Sequence, residues 1–220
     1  MSKANVREAL LASAVKLFAV NGYNAVSLRD IAKAAGANVG SLTYHFGSKA
    51  VLLREIYQRN AEPMNSRRLE LLGEARRLLD PDERLLAILR AYVIPAFSSS
   101  SDRDGGGAEF TRMRAVLSAE GNEDAREIIA GTFDRISHAF LDAIAECLPG
   151  ASKVDLIWRS QFLLGALYYA LINPERVTRL SGGAIIGTDR DLAVEQIVAA
   201  SFASFRALST SGEMRRTATA

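Results

Sequence analysis

The first fifty residues hold the side chains whose types and spacing best suit binding chemistry, because basic groups gather there. Only two acidic residues, Glu8 and Asp30, occur in this segment. The six basic residues are Lys3, Arg7, Lys16, Arg29, Lys33 and Lys49. The whole chain has a net charge of +2, so this segment carries +4 and the remainder −2. A basic head on a mildly acidic body favours contact with nucleic acid or an acidic membrane, although so modest an excess also arises by chance.

Catalytic and metal-binding patterns are absent from the sequence. It has no G-x-S-x-G nucleophile turn, no G-x-x-x-x-G-K-[ST] phosphate loop and no G-x-G-x-x-G after a strand. A single cysteine, Cys147, and two histidines argue against a structural zinc site. The carboxylate pair Glu123 and Asp124 falls at a predicted helix start, where it complements the helix dipole. We therefore expect no catalytic residues, no metal and no cofactor.

Composition places the chain among globular cytoplasmic proteins. Its 220 residues are 49% hydrophobic and 24% charged, a balance that suits a packed core and not a disordered chain. No apolar run reaches the roughly 20 residues of a membrane span. The first residues lack the apolar core and cleavage site of a signal peptide, and the lone cysteine fits a reducing compartment.

Two short helices joined by a tight turn are indicated between residues 28 and 45. Ser27 can cap the first helix, with Asp30 three residues later in an acidic version of the capping box. Ala32 is small enough for the closest approach of two steeply crossed helices, and Gly36 tolerates the positive φ of the turn. This arrangement is a helix-turn-helix whose second helix can enter a DNA major groove, with an ordinary helical hairpin as the alternative.

Helical spacing of apolar residues continues through most of the chain, and no segment alternates as a strand does. A first helix should stop at Asn21-Gly22, and Pro63 should kink or divide the fourth, which begins at Lys49. Further helices are predicted at 81–97, 108–119, 123–147, 152–173 and 189–209. Residues 98–107 read as a mobile loop and the last dozen as a frayed tail. The predicted fold class is all-α.

The stretch ALLASAVKLFAVNGYNAVSLRDIAKAAGANVGSLTYHFGSKAVLL carries a family resemblance. Residues 5–55 resemble the DNA-binding head of the TetR family of bacterial repressors. The resemblance implies a helix-turn-helix domain at 1–48, with the motif at about 27–46. It also implies a helical ligand-binding and dimerisation domain at 49–209 and a disordered tail at 210–220. The implied function is a ligand-responsive regulator, most often a repressor, that binds a near-palindromic operator as a homodimer.

The resemblance assigns roles within the head. Val39 and Thr43 can touch thymine methyls, and Gly40 lets the backbone approach DNA closely. Tyr44 and His45 stand where the family contacts phosphate, whereas Tyr23 and Phe46 read as packing residues. The full set of expected DNA contacts is Ser27, Asn38, Val39, Gly40, Ser41, Thr43, Tyr44, His45 and Lys49.

The resemblance also assigns roles within the body. The last two long helices are implied to form a four-helix dimer interface, and the middle helices to wrap an effector pocket. Candidate effector contacts are Phe110, Arg112, Met113, Arg114, Phe133, His138, Trp158, Phe162 and Tyr169. A finer likeness of TFDRISHAFLDAI and IWRSQFLLGALYYAL to fatty-acid-sensing members implies a fatty acid or acyl-CoA as effector. Two rival classes stay open, an all-α enzyme and a structural helical dimer without DNA function.

Overall fold

The computed structural model describes residues 3–98 and 107–217, and every regular element among them is a helix. The helices are α1 (Lys3–Asn21), α2 (Leu28–Ala34), α3 (Val39–Phe46), α4 (Lys49–Ala75), α5 (Pro81–Phe97), α6 (Gly107–Glu120), α7 (Glu123–Cys147), α8 (Lys153–Ile172), α9 (Glu175–Leu180) and α10 (Arg190–Thr217). The all-α class predicted from the sequence is confirmed. In the described part of the chain, no helix is long and apolar enough to cross a membrane.

The first helices begin and end where the sequence places their caps. α1 ends at Asn21, and Gly22 follows with a φ of +78°, a left-handed conformation that favours glycine. At the start of α2, Ser27 Oγ accepts from the Asp30 N–H while the Ser27 N–H donates to the Asp30 carboxylate. Gly36 turns the chain between α2 and α3 with a φ of +64°. These local signals confirm the predicted helix-turn-helix.

α4 is one continuous helix although Pro63 lies inside it. Proline removes one backbone hydrogen bond and crowds the carbonyl four residues earlier, which is why a kink or a division was predicted. The helix is not divided at this point. Ser48 caps the start of this helix, because its Oγ accepts from the Val51 N–H at 3.2 Å.

The described chain forms two compact units, and α4 and α7 contribute to both. Unit 1 holds α1 to α3, α4 as far as Met64, α6, and α7 as far as Asp134. Unit 2 holds the rest of α4 and α7 together with α5 and α8 to α10. This division differs from the boundary expected at residue 48, because α6 packs against α1 despite their separation along the chain.

Unit 1 has its own apolar core. Phe18 of α1, Ile31 of α2, Leu42 of α3 and Phe110 of α6 are each no more than 1% exposed and belong to one buried cluster. Each such side chain stabilises the fold by about 1.5–3 kcal/mol when buried. The recognition segment is thus held by residues far away in sequence as well as by its own turn.

Unit 2 is a bundle in which α10 packs against α5 and α8. Leu89, Phe140, Leu163 and Phe205 lie in its buried cluster. Arg159 of α8 donates to the Ser204 hydroxyl of α10 at 3.0 Å, which fixes the two long helices to each other. Asp80 and Ser152 cap α5 and α8 by accepting backbone N–H groups of the first turn.

The structure departs from the predicted elements at three places. The six-residue α9 was not predicted, because it is too short to show helical periodicity. α10 continues to Thr217, beyond the predicted helix end near residue 209. Most of the predicted mobile loop lies outside the described residues, although the Ala108 N–H donates to the Ser98 carbonyl at 2.9 Å.

Candidate nucleic-acid interface and ligand cavity

The exposed face of α3 consists of residues predicted to contact DNA. Leu42 and Phe46 form the buried side of the helix. The opposite side is exposed and contains Val39, Gly40, Thr43 and Tyr44. Their spacing of one, three and one residues places them on one helical face. Tyr44 is 78% exposed. This face offers a hydroxyl, a phenol, an apolar side chain and one backbone position without a side chain.

Several of the predicted contacts also fix the ends of helices. Asn38 Oδ1 accepts from the Ser41 N–H at 2.7 Å and so caps α3. Ser27 does the same for α2. His45 is half-buried, and its ring meets the Tyr44 ring edge-on with centroids 5.3 Å apart. Helix N-termini attract phosphate through their unpaired N–H groups. The N-terminus of α3 is part of the exposed face, because Asn38, Val39 and Gly40 are all exposed.

The Lys49 ammonium contacts the protein's own backbone. Its Nζ donates to the carbonyl oxygens of Tyr23 and Val26 at 2.8 and 2.9 Å, and it lies 4.2 Å from the centre of the Tyr23 ring. Burial lowers the pKa of Lys49, and the nearby carboxylates of Glu120 and Asp124 oppose that shift. This geometry favours a folding role for Lys49 over the DNA contact expected from the sequence.

A carboxylate from α6 holds the turn between α1 and α2. Glu120 accepts the backbone N–H groups of Tyr23 at 2.6 Å and Asn24 at 2.7 Å. Asn122 donates from its side chain to Asn24 Oδ1 at 2.8 Å. A Cβ on Gly22 would lie 2.7 Å from the Glu120 carboxylate and would displace it, and the φ of +78° at this position also favours glycine. We call Glu120 and Asn122, with the turn they hold, the α6 clamp.

Tyr23 lies at the centre of this arrangement. Its side chain is buried, as predicted for a packing residue, and its ring lies 5.5 Å from that of Phe18. Burial, assisted by the Asp124 carboxylate, raises the pKa of Tyr23 to about 12. The phenol therefore stays neutral at physiological pH and acts as a core side chain.

Substituting Lys49 by methionine, which keeps most of the apolar stem, should destabilise the protein. Two carbonyl oxygens would lose a charged donor, and we expect the free energy of unfolding to fall by about 1–3 kcal/mol. The slope of log K against log salt for operator binding should stay unchanged. Urea unfolding measures the free energy of unfolding, and salt titration measures the slope. Lys33→Met, at an exposed position of α2, is the matched control. Wild-type stability with a slope reduced by about 1 would instead show a phosphate contact.

Unit 2 contains an apolar cavity between α5, α7 and α8. Its cavity volume is about 160 Å³, and the open space around its mouth brings the total to about 630 Å³. Nine of its twelve lining residues are apolar or aromatic, among them Leu89 and Phe140. The other three are Ser137, Ser160 and Gln161. Elsewhere in the described residues, no group of histidine, cysteine and carboxylate side chains could hold a metal ion.

None of the nine predicted effector contacts lines this cavity. Four of them, Phe110, Met113, Arg114 and Phe133, are buried in the core of unit 1. There the Phe110 and Phe133 rings stack 6.4 Å apart, and the Arg114 guanidinium lies 3.8 Å from the centre of the Phe133 ring. The exposed members are Arg112, His138, Trp158, Phe162 and Tyr169. Helical periodicity predicts which face of a helix is apolar, but not whether that face packs against other side chains or lines a cavity.

The exposed aromatic residues of α8 belong to an apolar stripe. Its members follow one another at intervals of four and three residues, as in a coiled-coil seam. They are Val154, Trp158, Phe162, Gly165, Tyr169 and Ile172. Trp158, Phe162 and Tyr169 are each more than half exposed. Next to α8, the exposed side of α10 carries the small residues Ala199, Ala200 and Ala203. We call these two faces together the α8–α10 face.

Comparison with known families identifies the chain. The model for bacterial regulatory proteins of the tetR family matches residues 10–56. A second model, described as Tetracyclin repressor-like, C-terminal domain, matches residues 90–203, over half of the chain. The chain belongs to the TetR family. Members of the TetR family are transcriptional regulators, typically repressors, and not enzymes; they bind operator DNA and act as dimers.

Individual relatives agree with this assignment. The transcriptional regulator AcrR of Shigella flexneri is 35% identical over 153 residues, which is 65% of this chain and 66% of the relative. The transcriptional repressor KstR2 of Rhodococcus jostii is 34% identical over 97 residues, 44% of each chain. These matches span less than two thirds of either relative. The TetR-family regulator PfmR of Thermus thermophilus shares the fold with a TM-score of 0.57, at 20% identity, over 86% of this chain and 93% of that one.

Sequence reasoning missed two groups of residues in this TetR-family protein. No local sequence pattern marks Glu120, because the two backbone N–H groups that it accepts lie in a turn nearly a hundred residues away along the chain. The residues that line the cavity have the same apolar helical spacing as core residues, so the sequence did not distinguish them from the core. The helix cap at Ser27 and the exposed α3 face, by contrast, are local features that the sequence carries directly.

Proposed function

We propose that this protein is a ligand-responsive repressor that binds a near-palindromic operator as a homodimer. The observation that carries the proposal is the exposed α3 face, because a rigid helix with three outward side chains and one bare backbone position fits a major groove. The α6 clamp and Lys49 hold the preceding turn in place. A protein of this kind acts in the cytoplasm, where bacterial DNA lies.

The α8–α10 face supports the homodimer. An apolar stripe with three half-exposed aromatic rings is costly to leave in water and marks an interaction surface. Its regular spacing and the small residues beside it fit helix-on-helix packing with a second copy of the chain. Two heads held by one interface can then occupy successive major-groove faces of the operator.

The cavity supports the ligand response. A small apolar or amphipathic molecule bound there would contact α7, and α7 continues into unit 1. A ligand shifts the affinity for DNA only by the difference in its affinity for the two conformations of the protein. We therefore expect reciprocal coupling, in which operator DNA weakens the ligand by the same factor.

Selection from a random DNA duplex library tests this function. We expect enrichment of a near-palindromic sequence, which we call the selected operator. Thr43→Ser removes a methyl group and should relax the preference at one base pair of each half-site by about 1–3 kcal/mol, whereas Thr43→Val should retain it. Tyr44→Phe should weaken all sequences about equally, because phosphate contacts carry no sequence information. Enrichment of no sequence would contradict the proposal.

A further inference from the structure

The wall of the unit 2 cavity carries no charge. Among the described residues that line it there is no aspartate, glutamate, lysine, arginine or histidine. Burying a charged group without a partner is costly, and a charged ligand would have to leave its ionic group in the open mouth. The lining therefore favours a molecule whose buried part is neutral.

One polar side chain in the wall, that of Ser160, has a hydroxyl without a hydrogen-bond partner among the described residues. Ser160 of α8 lines the cavity, and its Oγ is buried without a hydrogen bond from any residue that the structure describes. A buried hydroxyl without a partner is unfavourable by about 1–3 kcal/mol. Gln161, also in the wall, is exposed and lies next to Ser160 in the chain. The Oγ atom itself has almost no accessible surface, so a ligand hydroxyl or carbonyl group would satisfy it after rotation of the Ser160 side chain to another staggered position.

The one buried arginine among the described residues of unit 2, Arg68, already contacts Tyr92. The Arg68 side chain donates from Nε to the Tyr92 carbonyl at 3.0 Å, and its guanidinium lies 4.3 Å from the centre of the Tyr92 ring. Tyr92 lines the cavity, but Arg68 does not. The wall therefore presents the Tyr92 side chain to a ligand, and not the Arg68 guanidinium.

We propose that the effector is an uncharged, mainly apolar molecule whose hydroxyl or carbonyl group hydrogen-bonds to Ser160 Oγ. This inference rests on the proposed function, in that it takes the unit 2 cavity as the effector site. It differs from the fatty acid or acyl-CoA expected from the sequence, because an anionic group finds no basic partner in the wall.

Matched neutral and anionic probes test the inference on the full chain. Calorimetric titrations would compare 1-decanol with decanoate, and decahydro-2-naphthol with decahydronaphthalene-2-carboxylate. We expect the alcohol of at least one pair to bind at least about tenfold more tightly than its acid. Ser160→Ala should weaken the binding of that alcohol about fivefold. Ser66→Ala, at an exposed position of α4, should leave its binding unchanged. Gln161→Arg at the exposed edge of the wall should strengthen the matching acid.

The inference is overturned if each acid binds as tightly as its alcohol, or if neither alcohol binds. It is also overturned if Ser160→Ala leaves alcohol affinity unchanged. Release of the selected operator is measured separately, by fluorescence anisotropy. An alcohol that binds through Ser160 without changing operator affinity would contradict the ligand response of the proposed function while leaving the ligand class established. The two failures are thus distinct.

Discussion

Phe162→Glu should convert the protein to a folded monomer and lower its affinity for the selected operator by about 100-fold or more. The Phe162 side chain is 56% exposed in a single chain, so a carboxylate there is tolerated by the monomer. Between two copies it would be buried without a partner, which disfavours association. Loss of the dimer removes the high effective concentration of the second head, a factor of about 10²–10⁴. Analytical ultracentrifugation and anisotropy measure the two effects.

Leu79→Glu is the matched control for this substitution. Leu79 is 90% exposed and lies outside the α8–α10 face, so its replacement should change neither assembly nor DNA binding. A dimeric Phe162→Glu variant with unchanged operator affinity would contradict the assignment of this face.

Gly165→Ala separates assembly from folding at the same face. Apart from the adjacent residues and the backbone of α8 itself, no described atom lies within 4 Å of a Cβ built on Gly165, and alanine is favoured over glycine inside a helix by about 1 kcal/mol. The variant monomer should therefore be at least as stable as the wild type, yet a seam that relies on close helix approach should dissociate more readily.

Glu120→Gln should lower the free energy of unfolding by about 1–3 kcal/mol and weaken operator binding with it. The carboxylate accepts two backbone N–H groups through its two oxygens. Glutamine keeps the shape but replaces one oxygen by an amide donor, so one N–H of the turn loses its partner. Because that turn leads into α2, a looser clamp lets the recognition helices shift. Urea unfolding measures the loss of stability.

Glu146→Gln provides the comparison for the clamp. Glu146 pairs with Arg76 at 3.1 Å, and both side chains are largely exposed. Exposed ion pairs contribute about 0–1 kcal/mol, so this variant should remain close to wild type. Equal destabilisation by the two substitutions would show that the α6 clamp is an ordinary surface contact.

The contrast between local and distant signals explains how far the sequence could be interpreted. Ser27, Gly22 and Gly36 act within a few residues of themselves, so these caps and turns could be predicted before the fold was known. The roles of Lys49 and Glu120 depend on carbonyl and N–H groups brought close only by packing. Trp158 and Phe162 show the same limit, because helical spacing could not distinguish a cavity wall from an outward face.

Native mass spectrometry of the full chain with the selected operator tests the central claim most directly. A dimeric regulator that reads a near-palindrome should give complexes with an even number of chains on each duplex, and a duplex carrying one half-site should bind far more weakly. Complexes with a single chain per duplex, or equal binding to the half-site, would contradict the account.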